Sequence, residues 1–452
     1  MSQLNEVSVR GVFDPVTLGL YVPSNILSKP SYLDEPTITE HATFFHELTH
    51  YYQFYGSTFG YLCLLGIYGY STSLAEILRQ LSRREGISCP AYMADWRHFF
   101  DHWEDKSFHT QAWTLQRYFQ EELYGWTYPH FDIHPILKDN VPLITSPLYL
   151  RQSSGYDLAV TGQVILENQA ALNESVFVAT NCSKDLAKGI LHKAYTSLPD
   201  SLASKYLGIS TWMGTLGLSH IENVLFFTIL NQQHWNYLRN LGEYTLVQNT
   251  KRVLTLSHEF RCLKEPKSEA ELLRLVEIIC NKAGLCDPFH AIEETRDLID
   301  KGLDPSRSNH AVDLISSEIF SWILKNKLEA VKWPAHPLRF LQSIPILRAY
   351  FGDDYSNRSF SILNKWNISH RKFDFSVLDK HDRYSTMVYL VQNLYQEEKT
   401  RCPLYIKEKP SACASCETCS GYLPDDSIGD DCPVLSLLSE LNLKLVRRKQ
   451  NG

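Results

Sequence analysis

No stretch of this chain stays apolar for the roughly 18 residues a helix needs to cross a bilayer. The richest run, Tyr61-Leu62-Cys63-Leu64-Leu65-Gly66-Ile67-Tyr68-Gly69-Tyr70, is too short and reads as core lining. No basic leader with an apolar run follows Met1-Ser2-Gln3-Leu4-Asn5-Glu6, so a cytoplasmic protein is expected. Excess positive charge is also missing. A net charge of −7 argues against a general nucleic-acid surface, and the short basic tail Arg447-Arg448-Lys449 does not reverse it. There is no phosphate-binding loop, no dinucleotide fingerprint, no internal repeat and no low-complexity linker. What remains is a globular composition, 44% hydrophobic and 21% charged over 452 residues. That length suits two or three domains, or one large α-helical body.

Within it stands the pentapeptide His46-Glu47-Leu48-Thr49-His50. On a helix, residues four apart lie one above the other, so His46 and His50 can grip one metal ion. Glu47 is rotated about 100° from His46 and can act on a water at the ion without ligating it. This is the arrangement of zinc hydrolases, where the ion polarises a carbonyl and acidifies water. The surroundings agree. Thr37-Ile38-Thr39-Glu40 has the form of a capping box, 38–55 carries no Gly or Pro, and Gly56 offers a stop. Phe44, Phe45, Leu48, Tyr51, Tyr52 and Phe54 predict a helix buried on most sides. The plainer alternative is a core helix whose histidines bond to carbonyls. Two histidines and a glutamate at this spacing are a poor way to fill a core.

A catalytic zinc takes a third protein ligand and keeps a fourth position open. Positions 53 and 56 hold Gln53 and Gly56, which excludes the metzincin continuation. The favoured third ligand is Glu167. Thr161 can cap a helix over about 162–180. On it, Glu167, Ala170, Ala171 and Glu174 share a face at i, i+3, i+4 and i+7. The alanines leave room for close approach to the histidine helix, and Glu174 is placed to orient a ligand histidine. Glu76 is the runner-up, although Ser73-x-x-Glu76 also reads as a capping box.

These segments resemble the gluzincins, metallopeptidases with HExxH on one helix and a glutamate, often followed by Ala, on a second. The resemblance covers roughly 37–60 and 160–180. The separation of over 110 residues is longer than in the best-known members, where a few tens of residues intervene. It implies a zincin-like helical body, a zinc ion on His46, His50 and Glu167, Glu47 as general base, and a peptide or protein substrate.

Other histidines compete. His98-Phe99-Phe100-Asp101-His102 mimics the inverted motif with Asp in place of Glu, and His130-x-Asp132-x-His134 lies in a Pro-flanked segment. Both are expected to be structural or solvent-facing. His109, His220, His234 or a tyrosine are candidates to stabilise an oxyanion.

Five of the 11 cysteines crowd into Cys402, Cys413, Cys416, Cys419 and Cys432. In a cytosolic chain, clustered cysteines more often hold metal than form disulfides. Cys413, Cys416, Cys419 and Cys432 look like the ligand run of a [4Fe-4S] cluster. Cys402 with three of the others suits a structural zinc site. Both readings stay open. A segment this small, carrying Asp425, Asp426, Asp430 and Asp431, has little core and would need the metal to fold.

Helical patterns are expected near 72–85, 92–104, 110–124, 162–180, 217–234, 268–283, 290–302, 310–331 and 433–446, with short strands within 6–27. Residues between the two metal helices, with Trp96, Trp103, Trp113 and Trp126, would form a wall or lid. The chain therefore reads as mainly α. A metallopeptidase body is expected over 1–400, a Cys-rich metal-binding segment over 401–435, and a C-terminal helix and tail over 436–452. The competing function is a non-catalytic metal-binding or redox-sensing regulator that docks a partner protein through the cysteines.

Overall fold

The computed structural model describes residues 12–14, 19–22, 35–69, 87–88, 148–151, 157–160, 162–181, 220–232, 246–256, 266–302, 311–332, 348–351, 400–401, 422–423 and 445–446, with the single positions 185 and 439. The chain divides into two compact units. The first holds 1–62, 118–128 and 144–373, and the second 63–117, 129–143 and 374–452. The described residues are mainly helical, with a few short strands.

Helix α1 spans Glu35–Tyr55 and carries the HExxH motif. It starts before Thr37, so Thr37 lies inside the helix and is not its cap. Pro36 sits in the first turn, where its missing N–H costs no hydrogen bond and its fixed φ is already helical. Burial extends around the helix, as Ala42, Phe44, Phe45, Leu48, Tyr51, Tyr52 and Tyr55 are each at most 2% exposed. The expected stop at Gly56 holds, with its N–H donating to the Tyr52 carbonyl at 2.8 Å.

A small sheet packs against α1. Strands β1 (Val12–Asp14) and β2 (Gly19–Val22) pair antiparallel, placing Phe13 opposite Leu20. The distant strand Arg348–Phe351 adds parallel to β2, with Leu20 opposite Ala349. The Phe13 ring meets Tyr51 edge-on, with centroids 5.9 Å apart, and Phe54 at 5.8 Å. Only the hairpin half of this sheet is local in sequence; the third strand is brought in by tertiary packing.

After a two-residue bend the chain re-enters helix over 58–69. Ser57 caps it, its Oγ accepting from the Gly60 N–H at 3.0 Å. Gly60 is required by close approach: a Cβ there would lie 2.2 Å from the Gln53 carbonyl oxygen and 2.3 Å from Phe54 Cα. The Tyr61 hydroxyl then donates to Asp313 Oδ1 at 2.7 Å, tying this turn to the helix Ala311–Lys325.

Helix α2, Gly162–Asn181, lies along α1 and carries Glu167 and Glu174. Ala170 on α2 is fully buried, and the Phe45 ring meets Phe177 at a tilt with centroids 4.0 Å apart. The antiparallel pair Leu148–Arg151 and Asp157–Val160 leads into it. Further helices form at His220–Leu230, Leu246–Thr255, Glu269–Ala283, Pro288–Gly302 and Lys327–Lys332. Glu269–Ala283 has both ends written locally. The Ser268 side chain caps Glu271, and Gly284 closes the helix in the left-handed conformation at φ 64°.

The helical patterns at 72–85, 92–104 and 110–124 lie outside the described residues. So does the Cys-rich segment, apart from the strands Thr400–Arg401 and Tyr422–Leu423, which pair antiparallel. Leu445–Val446, expected at the end of a helix, is instead a strand parallel to Ile87–Ser88. Pairing with a segment over 350 residues away overrides the local pattern there. Among the described residues, no helix is long and apolar enough to cross a membrane.

Candidate metal centre

Helix periodicity places the two histidines of α1 one above the other, their rings edge to face with centroids 5.0 Å apart. The packed helix α2 then brings Glu167 between them. Glu167 Oε2 lies 3.1 Å from His46 Nε2, and Glu167 Oε1 lies 3.5 Å from His50 Nε2. One ligand atom from each of His46, His50 and Glu167 falls within 4.8 Å of the others. The three form a group able to hold a metal ion, and no other such group of His, Cys, Asp or Glu occurs among the described residues.

The imidazole nitrogens facing away from this point are also engaged. His46 Nδ1 lies 3.3 Å from Glu174 Oε2, one α2 turn pair beyond Glu167. His50 Nδ1 lies 2.8 Å from Gln53 Oε1. Each ring is thus gripped at Nδ1 and presents Nε2 to the common point. Metal sites are built in this way, because the outer partner fixes the ring orientation and raises the basicity of the ligating nitrogen. The donor set of two imidazoles and a carboxylate suits zinc and other first-row divalent cations.

Charge is unevenly buried here. Glu167 is half-exposed, while Glu47 is 6% and His50 9% exposed. Burial opposes a positive charge on His46. The hydrogen bonds to Glu167 and Glu174, with the Glu167 charge, outweigh it and hold the imidazole up at about 10. For Glu167, burial would raise the pKa, but His50 and His46 pull it well below the usual carboxylate range. Glu47 moves the other way. Burial pushes it up, against the pull of His50 and His46, and a bond from the Phe13 backbone N–H partly offsets the rise. A buried carboxylate made more basic beside a cluster of ligands is the kind of group that takes a proton.

Of the residues singled out in the sequence, His46, Glu47, His50, Glu167 and Glu174 come together. Glu76, His98, Asp101, His102, His109, His130, Asp132, His134, His234 and the five clustered cysteines lie outside the described residues, as does the side chain of His220. The sequence reading did not find two participants. Gln53 served there only to exclude one motif, yet it sits one turn past His50 on the same face, which is a usable signal. The Phe13 backbone N–H had no signal, since any residue on that strand supplies one.

Comparison with protein-family models, with curated proteins and with solved structures gives no match to this chain.

Proposed function

We propose that this protein is a zinc-dependent hydrolase of gluzincin type, acting on peptide or protein substrates. The observation that carries the reading is the convergence of Glu167 on His46 and His50 from a separate helix, with the basic, buried Glu47 beside them. A structural histidine pair has no need of a third ligand, of Nδ1 partners on both rings, and of a carboxylate with a raised pKa.

His46, His50 and Glu167 would hold the ion. Zinc supplies Lewis acidity toward a carbonyl and brings the pKa of water near neutrality. Glu174 and Gln53 hold the two imidazoles in the orientation that points Nε2 at the ion. Glu47 accepts the proton of the attacking water and passes it to the leaving amine. A second metal, either zinc or a [4Fe-4S] cluster, at Cys402, Cys413, Cys416, Cys419 and Cys432 belongs to the same proposal.

The test is elemental analysis of protein purified without air, followed by cleavage assays on unfolded casein with and without chelator. Zinc at one or more per chain, with chelator-sensitive cleavage abolished in Glu47→Gln, is the expected result. About four irons beside one zinc would assign the cysteines to iron–sulfur chemistry, and two zincs would assign them to a structural site. Iron with no zinc, or full cleavage by Glu47→Gln, would remove the peptidase reading.

A further inference from the structure

Gln53 is fully buried on α1, one turn beyond His50. Its amide nitrogen donates to the Leu166 carbonyl at 2.9 Å and to Gln169 Oε1 at 2.9 Å. Its oxygen lies 2.8 Å from His50 Nδ1. A peptide carbonyl only accepts, so the group facing Leu166 must be the NH2 end of the amide. That fixes the amide the right way round and turns its oxygen, which also only accepts, toward the imidazole. His50 Nδ1 must therefore carry the hydrogen. In a neutral ring the lone pair is then left on Nε2, the nitrogen that faces Glu167.

A backbone carbonyl of α2 thus dictates, through one side-chain amide of α1, which nitrogen of His50 is free to bind a metal. The same carbonyl belongs to Leu166, the residue before Glu167. Gln53 is itself held firmly. The Ser57 hydroxyl donates to its carbonyl, and Gly60 packs directly against that oxygen.

We propose that Gln53 is a positioning residue of the metal centre: it sets the His50 tautomer and locks that ring in register with the helix that supplies Glu167. The proposal rests on the metal-centre reading above and deepens it: the helix that supplies Glu167 also sets, through the Leu166 carbonyl, the direction of the Gln53 amide and so the His50 tautomer. It also predicts an asymmetry. His46 is oriented by a carboxylate, Glu174, whereas His50 is oriented by a neutral amide whose direction comes from the neighbouring helix.

The experiment measures zinc affinity by competition with a coloured chelator in the full-length wild type, Gln53→Met and Gln53→Glu. Long-range 1H–15N spectra of the histidines are recorded on the zinc-loaded forms. Gln53→Met keeps the length and removes all three hydrogen bonds. Its zinc affinity is expected to fall about 10–100-fold, the usual effect of losing an outer partner of a ligand. Gln53→Glu keeps an oxygen for His50 Nδ1 but sets its second oxygen against the Leu166 carbonyl, so it should recover little of that loss. In wild type, His50 should show a protonated Nδ1 and a zinc-bound Nε2.

Unchanged affinity in a folded Gln53→Met would overturn the proposal while leaving the metal site standing. So would a wild-type spectrum with zinc on Nδ1, which decides the matter even where Gln53→Met does not fold. Wild type that takes up no zinc would instead overturn the metal-centre reading, and this proposal with it.

Discussion

His46 Nε2 and Glu167 Oε2 lie 3.1 Å apart, although 121 residues separate them in the chain. No local rule brings them together. Helix α2 does so by lying along α1, with Asn173 Nδ2 donating to Thr49 Oγ1 at 3.1 Å.

Glu167 and Glu174 share a face of α2 but play unequal parts. Glu167→Ala removes a ligand, so zinc should fall to well below one per chain after dialysis. Glu174→Gln keeps an oxygen near His46 Nδ1 and should weaken zinc only about 10-fold or less. Metal analysis and competitive titration distinguish the two. Stoichiometric zinc in Glu167→Ala would mean that another group supplies the third ligand.

Metal uptake should release protons. With the metal stripped, His46 is held up at about 10, so near pH 7.5 it carries a proton that an incoming ion must displace. Calorimetric titration in two buffers of different ionisation enthalpy should show at least one proton released per zinc, since Glu167 also holds the His50 pKa up against burial. Zinc uptake with no buffer dependence would contradict the charged His46–Glu167 pair.

The same pair sets a pH window for the stripped protein. A raised His46 pKa contributes stability that is full below its unfolded value of about 6.5 and is lost as pH rises through about 10. A lowered Glu167 pKa contributes stability that is present above about 4.5 and is lost as pH falls. The contribution should therefore peak between roughly pH 4.5 and 6.5. Thermal melts of chelator-treated wild type minus Glu167→Gln isolate it. A difference that grows from pH 7 to pH 10 would have the wrong sign.

Room between the helices is predicted to matter more than composition. Ala170→Leu puts an isobutyl group at a fully buried position of α2 and should cost about 1–3 kcal/mol by overpacking. It should also weaken zinc, because Glu167 one turn away is pushed off the histidines. Denaturant unfolding and zinc titration would be read on the same sample. Lost stability with unchanged zinc affinity would show that the site tolerates a wider helix spacing.

Among the described glycines, Gly60→Ala should be strongly damaging. The added carbon would fall 2.2–2.3 Å from backbone atoms of Gln53 and Phe54, which cannot swing aside as a side-chain end can. A loss of about 3 kcal/mol or more is expected from urea unfolding. A loss under 1 kcal/mol would show that the 58–69 helix can back away from α1 cheaply.

The sequence alone determined whatever depends on neighbours within a turn or two. The placing of His46 above His50 follows from helical spacing, and so does the shared face of Glu167, Ala170 and Glu174. The helix expected near 268–283 forms as Glu269–Ala283, because capping by Ser268 and Gly284 is a short-range hydrogen-bond problem. Even there the local rule failed once: Thr37 looks like a cap, but Pro36 carries the helix further back. Only the tertiary structure decided that Glu167 meets the histidines, that Gln53 turns His50, and that Arg348–Phe351 completes the sheet beside α1. The physical reason is common to all three. A hydrogen bond or ligand pair across two elements depends on their crossing and register, which arise from the sum of many buried contacts and leave no spacing in the chain to read.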